Sequence, residues 1–212
     1  MTMRKILLFD MDGTLTDSMP VYNDAIRRVL EEDGAEIPAD IVRLTAPMTV
    51  DEILETLLSL GCKGDKASLI ARLDMRSAYA KDVELKPGVM DFLVKKKDEG
   101  CRLFVVTGSP KACCIPCLRH NGVLPFFEHV YTTDDFDTAK HQPGIYIALC
   151  QMHGIPTTDV TFFDDNLLAL RAAKAAGMEV IGVADPSEAE DEDAIRAEAD
   201  GFITGFEELV EE

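Results

Sequence analysis

A chain of 212 residues is long enough for one substantial core, or for a core with a smaller inserted domain. Hydrophobic residues make up 47% of it and charged residues 28%, which excludes a disordered protein, and no apolar run is long enough to predict a membrane span. The formal net charge of −18 comes without a basic stripe, which argues against a nucleic-acid partner. Because residues 1–5 lead into a strand rather than a signal peptide, we expect a cytoplasmic protein.

The first predicted element is a buried strand that ends in two carboxylates. The apolar run Ile6–Phe9 is followed directly by Asp10-Met11-Asp12-Gly13-Thr14. Side chains two apart on a strand share a face, and a tight turn beginning at Gly13 can bring both carboxylates and one backbone carbonyl to a single point. Such oxygen ligands suit Mg²⁺, which usually binds one or two carboxylates and a substrate phosphate. The alternative is a strand followed by a solvated acidic turn.

The next block, residues 21–80, carries helical patterns and almost no strand patterns. Within it, Thr49 and Glu52 form a predicted capping box that begins a helix, and Gly61 is a plausible end. A further helix is predicted over residues 66–79. We therefore expect this block to be all-helical.

From Pro87 onward, predicted helices alternate with predicted strands. The strands are residues 103–106, 130–132, 160–163, 180–183 and 202–203, and the helices are residues 88–97, 112–120, 145–152, 167–176 and 206–209. This alternation predicts an α/β fold with a parallel sheet covered on both faces.

Three polar clusters follow the carboxyl ends of predicted strands, at residues 10–14, 107–109 and 164–166. In open α/β sheets ligands bind beyond these ends, so the clusters should converge on one site. The acidic stretch 185–200 holds eight carboxylates against Arg196 alone, and we interpret it as a solvated loop and helix face.

Cys114-Ile115-Pro116-Cys117 has the C-x-x-C spacing of redox and metal sites. No second pair and no histidine pattern completes a zinc site, and the order of elements does not suit a thioredoxin-like domain. Ordinary packed thiols are the expectation for this cluster, which includes Cys113.

Four motifs occur in a characteristic order. They are Asp10-Met11-Asp12-Gly13-Thr14 as D-x-D-G-T, Thr107-Gly108-Ser109 at a strand end, Lys140 with Pro143 and Tyr146 as a partial K-P-x-P-x-x-Y, and Phe163-Asp164-Asp165. Together they resemble the haloacid dehalogenase superfamily, in its phosphatase branch with a helical cap, like phosphoglycolate phosphatase and beta-phosphoglucomutase. The resemblance covers essentially the whole chain. It departs at His141, where the family has proline, and at Asn166, where serine or threonine is usual.

The resemblance implies a three-layer Rossmann-like core with a parallel sheet, formed by residues 1–16 and 85–212. Residues 17–84 would form an inserted, all-helical cap domain.

The resemblance also implies the chemistry of the acidic residues. Asp10 would be the nucleophile that forms an aspartyl-phosphate. Asp12 would act as general acid toward the leaving oxygen and then as general base toward water. Mg²⁺ would be held by Asp10, the backbone carbonyl of Asp12, Asp165 and Asp164.

The remaining motif residues are implied to bind the phosphoryl group. Lys140 would reduce the repulsion between the nucleophile and the substrate. The Thr107 hydroxyl and the Gly108 backbone N–H would bind phosphoryl oxygens, with Ser109 and Asn166 assisting.

Contacts between the cap and the substrate are expected from Tyr22, Asn23, Thr45 and Thr49. The alternative for these residues is helix surface and capping. The expected partner is a small phosphorylated metabolite, and the expected oligomeric state is a monomer or homodimer.

The implied function is a Mg²⁺-dependent phosphatase that acts on phosphoglycolate or a sugar phosphate. Asp12 favours this function over carbon–halogen cleavage, because dehalogenases of the superfamily lack an acidic residue there. A beta-phosphoglucomutase-like phosphomutase is the alternative within the class. Such mutases use a cap arginine, and the loop 45–49 has no basic residue nearer than Arg43. An inactive metal-binding or regulatory relative is the alternative of another class.

Overall fold

The structure, a computed structural model, describes residues 4–45, 48–136 and 138–210. Residues 46 and 47 of the predicted substrate loop lie outside the described residues. No helix in these ranges is long and apolar enough to cross a membrane. The cytoplasmic location and the oligomeric state stay predictions.

One parallel sheet forms the centre of the fold, with six described strands in the spatial order β3-β2-β1-β4-β5-β6. The strands are β1 (Ile6–Phe9), β2 (Arg102–Thr107), β3 (His129–Thr132), β4 (Val160–Asp164), β5 (Glu179–Val183) and β6 (Gly201–Ile203). Phe9 is level with Val105 of β2 and Phe163 of β4. The carboxyl ends of the three central strands therefore meet at one edge.

Helices cover both faces of this sheet and also form a separate layer beyond its carboxyl edge. They are α1 (Met19–Asp33), α2 (Ile41–Thr45), α3 (Val50–Ser59), α4 (Lys66–Arg72), α5 (Arg76–Tyr79), α6 (Val89–Asp98), α7 (Lys111–His120), α8 (Pro143–His153), α9 (Leu167–Ala175) and α10 (Glu192–Glu198). Residues 206–209, predicted as a last helix, form a single 3₁₀ turn.

The core has three layers because side chains alternate along each strand. Leu7 and Phe9 of β1 pack on one face in a cluster with Phe92 of α6. Leu8 packs on the other face in a cluster with Ile145 of α8. The predicted α/β core with a covered parallel sheet is confirmed.

Helices α1 to α4 of the predicted helical cap share an apolar cluster of their own, whereas Tyr79 of α5 packs in the core cluster with Phe92. The cap cluster includes Ile26 of α1, Leu54 of α3 and Leu69 of α4. The chain enters and leaves the cap side by side, because the backbone N–H of Asp17 donates to the carbonyl of Glu84 at 3.0 Å. The domain boundaries at these two residues stay a prediction.

The prediction of one helix over residues 66–79 is wrong, since the chain forms α4 and α5 with a break between them. The Asp74 carboxylate in the break accepts a hydrogen bond from the backbone N–H of Arg76 at 3.0 Å. An aspartate that bonds to a nearby backbone N–H competes with the helical hydrogen-bond pattern. Asp74 therefore separates the two helices.

Candidate active site

The carboxyl edge of the sheet brings the predicted chemical residues together. Asp10 follows β1, Thr107 ends β2, and Asp164 ends β4 with Asp165 directly behind it. Lys140 lies in the loop before α8. The carboxylate oxygens of Asp10, Asp164 and Asp165 lie within 4.8 Å of one another, and all three residues are buried. We call these three residues the acidic cluster.

The turn that follows β1 requires Gly13. Its φ of +77° lies in the left-handed region, and a Cβ at this position would lie 2.4 Å from Asp165 Oδ2. The Thr14 hydroxyl donates to the other oxygen of the same carboxylate at 2.8 Å. Lys86 Nζ donates to the Gly13 carbonyl at 2.6 Å. The turn thus leaves room for Asp165 and also holds it. The support from Lys86 was not predicted.

Lys140 offsets part of the charge of the acidic cluster. Its Nζ lies 2.7 Å from Asp10 Oδ1 and 2.7 Å from Asp164 Oδ2. Burial lowers the pKa of Lys140, but these two carboxylates raise it overall, so the lysine stays charged. Burial raises the pKa of Asp10, which Lys140 opposes, and it raises the pKa of Asp165, to which the neighbouring carboxylates add. The Tyr146 hydroxyl donates to the Lys140 carbonyl at 2.9 Å and fixes the loop.

The acidic cluster has the properties of a site for a divalent cation. Three buried carboxylates lie here against the single ammonium of Lys140, so the acidic cluster keeps an excess of negative charge. Buried negative charge without a compensating positive charge is unfavourable. Carboxylate oxygens are also the ligands that hard cations prefer. The residues present can therefore hold a metal ion.

Asp12 lies beside this cluster and accepts hydrogen bonds from three side chains. Ser18 Oγ and Tyr79 Oη donate to its Oδ1 at 2.6 and 2.7 Å. Thr107 Oγ1 donates to its Oδ2 at 3.1 Å and accepts from the backbone N–H of Ser109 at 3.0 Å. These bonds fix the orientation of Asp12. No motif marked Ser18 or Tyr79, and sequence reasoning missed both.

Two acidic residues of the stretch 185–200 are buried behind the site, so the prediction of a wholly solvated stretch is wrong. Asp185 accepts from Lys86 Nζ at 2.8 Å. Glu188 accepts from Asn166 Nδ2 at 3.2 Å, and burial raises the pKa of Glu188 to about 7. The Asn166 side-chain oxygen caps α9, so this side chain has partners other than a phosphate.

A cavity of about 480 Å³ opens above the acidic cluster. Its floor includes Asp10, Asp12, Gly108, Ser109, Lys140 and Asp165, and its opposite wall belongs to the cap. The floor therefore combines the three strand-end motifs with the lysine loop.

Of the four predicted cap contacts, only Tyr22 is among the residues that line this cavity in the described ranges. Asn23 accepts from Arg27, the Thr45 hydroxyl donates to the Ile41 carbonyl, and Thr49 forms the predicted capping box. These three side chains have local partners, as in the capping alternative.

The cysteine cluster is part of the core rather than of the floor. Cys113, Cys114 and Cys117 are free and buried, and only Cys113 borders the cavity in the described part of the chain. Burial raises the pKa of Cys113 to about 11 and that of the other two to about 12. Thiols with such pKa values stay protonated at neutral pH, as expected for packed cysteines.

A family model described as haloacid dehalogenase-like hydrolase matches residues 4–177. The chain belongs to this family. A phosphoglycolate phosphatase from Nitrosospira multiformis is 29% identical over 187 residues, which cover 84% of this chain and 82% of that protein. The fructose-1-phosphate phosphatase YqaB of Escherichia coli is 29% identical over 181 residues, or 84% of this chain and 95% of that protein.

The same architecture occurs in a crystal structure of beta-phosphoglucomutase from Clostridium difficile. The TM-score is 0.80 at 18% identity, and the alignment covers 98% of this chain and 93% of that one. This likeness shows the fold. The predicted membership of the haloacid dehalogenase family is thus confirmed.

We expect Asp165→Asn to stabilise the metal-free protein. Because burial and the neighbouring carboxylates raise the pKa of Asp165, its ionised form destabilises the native state once the pH exceeds the pKa of the unfolded carboxyl group. Asparagine removes the charge and keeps an oxygen for Thr14. In EDTA at pH 7 the melting temperature should rise by roughly 2–4 °C, equivalent to about 1 kcal/mol. Stabilisation by Mg²⁺ should be much weaker than in the wild type.

Calorimetry in EDTA and in Mg²⁺ checks this expectation, with Asp24→Asn as the control, since Asp24 is exposed on α1. A lower melting temperature in EDTA would contradict the electrostatic account. Undiminished stabilisation by Mg²⁺ would show that Asp165 is not a ligand.

Proposed function

We propose that this hydrolase is a Mg²⁺-dependent phosphatase that cleaves a small phosphomonoester through a phosphorylated Asp10. The observation that best supports this is the position of Asp10, buried 2.7 Å from the Lys140 ammonium and beside Asp12 in one cavity. A carboxylate held in this way can attack phosphorus and divide one difficult displacement into two steps. The activities for which the two phosphatase relatives are named support the same reaction class.

In the proposed reaction, the Asp10 carboxylate attacks phosphorus and the bond to the leaving oxygen breaks. Asp12 donates a proton to that oxygen, so a neutral alcohol departs. Asp12 then accepts a proton from the water that attacks the phosphoaspartate. Inorganic phosphate leaves, and both aspartates return to their starting states. Lys140 offsets the negative charge beside the nucleophile throughout.

Phosphoryl oxygens are assigned to the end of β2. Gly108 and Ser109 line the cavity floor beside Asp10. The Thr107 hydroxyl donates its one hydrogen to Asp12 and accepts from the Ser109 N–H. In this proposal the hydroxyl would turn from Asp12 to a phosphoryl oxygen when substrate binds.

Mg²⁺ is assigned to the acidic cluster and the backbone carbonyl of Asp12. The three buried carboxylates, with the single ammonium of Lys140 to offset their charge, support this assignment. When bound, the ion would supply positive charge that offsets the negative charge of the phosphoryl group.

We assign residues 17–84 as a cap domain over a core of residues 1–16 and 85–212. The separate apolar cluster of the cap and the cap side chains around the cavity support this division. Its role is to limit water at the reacting atoms and to contact the leaving group.

The phosphomutase alternative requires a cation in the cap for a second phosphate. Arg43 is paired with Asp191 at 2.9 Å and is not among the described residues that line the cavity. Arg76 does line the cavity, but its guanidinium makes two bonds of 2.7 Å to Asp74. Arg43 does not line the cavity and the charge of Arg76 is offset by Asp74, so neither supplies an uncompensated positive charge for a second phosphate, which favours hydrolysis over transfer.

Asp10→Asn should abolish turnover. An amide is a poor nucleophile, so phosphate release should fall by roughly four orders of magnitude or more, while the far-ultraviolet circular dichroism stays that of the wild type. The measurement is Mg²⁺-dependent release of inorganic phosphate from phosphoglycolate, fructose 1-phosphate and alkyl and aryl phosphates. Activity that survives the substitution would show that Asp10 is not the nucleophile. It would also exclude the alternative that this protein is an inactive relative.

Asp12→Ala should damage hydrolysis of alkyl phosphates far more than that of aryl phosphates. An alkoxide needs a proton to depart and a nitrophenolate does not, so the alkyl ester should lose about 10²–10⁴-fold in kcat. Asp17→Ala, which alters the exposed neighbouring aspartate, is the control. Equal losses for the two esters would argue against general acid catalysis by Asp12.

Tyr79→Phe should reproduce part of this effect, because it removes the donor at 2.7 Å from Asp12 and keeps the buried ring. A hydrogen bond to a charged group contributes about 1.5 kcal/mol, so kcat for an alkyl phosphate should fall about tenfold, with a smaller loss for an aryl phosphate. Tyr131→Phe is the matched control, since its hydroxyl bonds to His153 away from the site. A loss that is the same for both esters would indicate a purely structural role for Tyr79.

A further inference from the structure

The cap wall of the cavity is apolar where it faces the phosphate-binding floor. It is built by side chains of α1, α3 and α4 and of the break before α5, including Ile26, Val50, Ile53, Ile70, Leu73 and Met75. Ile70 is 52% exposed at this wall, so the apolar surface continues outward from the cavity. The alcohol portion of a bound phosphomonoester would lie against this wall.

Few polar side chains of the cap line the cavity. In the described residues they are those of Tyr22, Asp74 and Arg76. Asp74 and Arg76 bind each other through two bonds of 2.7 Å. The Tyr22 hydroxyl is buried and has no well-oriented partner among the described residues, although the Thr45 side chain is close to it. The exposed polar groups of the cap wall are therefore those of the ion pair between Asp74 and Arg76, in which the guanidinium keeps further N–H donors.

We infer that the natural substrate is a phosphomonoester with an apolar alkyl or aryl alcohol portion, rather than a sugar phosphate or phosphoglycolate. The inference rests on the proposed function for the reaction and on the cap wall for the substrate class. Sugar hydroxyls that lie against the apolar side chains of the cap wall would lose water and find few new partners there, which is unfavourable. An apolar chain would gain contact with side chains that are otherwise exposed to water.

The chemistry of an apolar ester also suits the floor. Asp10 forms the new bond to phosphorus, the phosphorus–alcohol bond breaks, and the proton of Asp12 passes to the departing oxygen. Water then cleaves the phosphoaspartate, so the overall products are a neutral alcohol and inorganic phosphate. Alkoxides are poor leaving groups unless they are protonated. The three hydrogen bonds that orient Asp12 would hold it in position to protonate the departing oxygen.

The test is a series of ethyl, butyl and hexyl phosphate, compared with fructose 1-phosphate and phosphoglycolate, all with Mg²⁺. We expect kcat/KM to rise about fourfold for each methylene that becomes buried. Hexyl phosphate should exceed fructose 1-phosphate, which has the same number of carbons. A flat alkyl series, or faster hydrolysis of fructose 1-phosphate or phosphoglycolate than of hexyl phosphate, would overturn the inference and leave the phosphatase proposal standing.

Binding of the corresponding alkylphosphonates, measured by titration calorimetry, separates the two proposals. These compounds are not hydrolysed, so their Kd reports the cap wall without turnover. Absence of turnover on every ester together with a Kd that falls along the series would refute the phosphatase and support the ligand class. A Kd that does not change with chain length would refute the ligand class whatever the turnover.

Ile53→Gln and Ile70→Gln test the wall itself. Each places an amide on the cavity surface, so the preference for hexyl over ethyl phosphate should fall about fourfold or more. Ile147→Gln is the matched control, because Ile147 is 40% exposed on α8 and does not line the cavity. Equal changes for hexyl and ethyl phosphate in the wall variants, or the same loss of preference in the control, would contradict the inference.

Discussion

Three carboxylates buried within 4.8 Å of one another repel, and the register of the central strands determines whether they can be held there. Phe9 and Phe163, which precede Asp10 and Asp164, are partners across β1 and β4. Lys140 can therefore lie 2.7 Å from both carboxylates. A shift of one residue between these strands would turn one carboxylate to the opposite layer. The nucleophile, the metal ligands and the lysine all depend on this register.

The proposed general acid depends on a different set of contacts, which join the cap to the core. Asp12 is oriented by Ser18 at the start of α1, by Tyr79 at the end of α5, and by Thr107 at the end of β2. Two of these donors therefore lie where the chain enters and leaves the cap. A displacement of the cap would disturb Asp12 more than Asp10, whose neighbours all belong to the core. Cap position and proton transfer are thus linked through these hydrogen bonds.

The strand-end motifs were predictable because each is local, with polar residues placed directly after an apolar strand. The donors to Asp12 were not, since Tyr79 is 67 residues away in the chain and no pattern marks it. The acidic composition of residues 185–200 predicted that Glu188 is exposed to solvent. In the structure Glu188 is buried and accepts a hydrogen bond from Asn166, which follows a different strand. Thr49 was predicted both as a helix cap and as a substrate contact, and the structure gives its side chain the capping role. The order of residues along the chain thus identified the chemical groups of the site. Their burial and their hydrogen-bond partners depend on contacts between residues that are distant in sequence.

The apolar cap wall also affects the charged floor beneath it. The net charge of −18 is spread over the surface, and surface charges are screened beyond about 8 Å at physiological salt. Lys140 instead acts at contact distance. It lies under a cap wall of low polarity, where interactions between charges are stronger. An apolar alcohol portion would complete that wall and leave only the phosphoryl group and the attacking water among the charges. A hydroxylated portion would bring its own water into the same space and weaken those interactions. The cap side chains that select the substrate would therefore also set the strength of the electrostatic stabilisation, so that specificity and rate vary together.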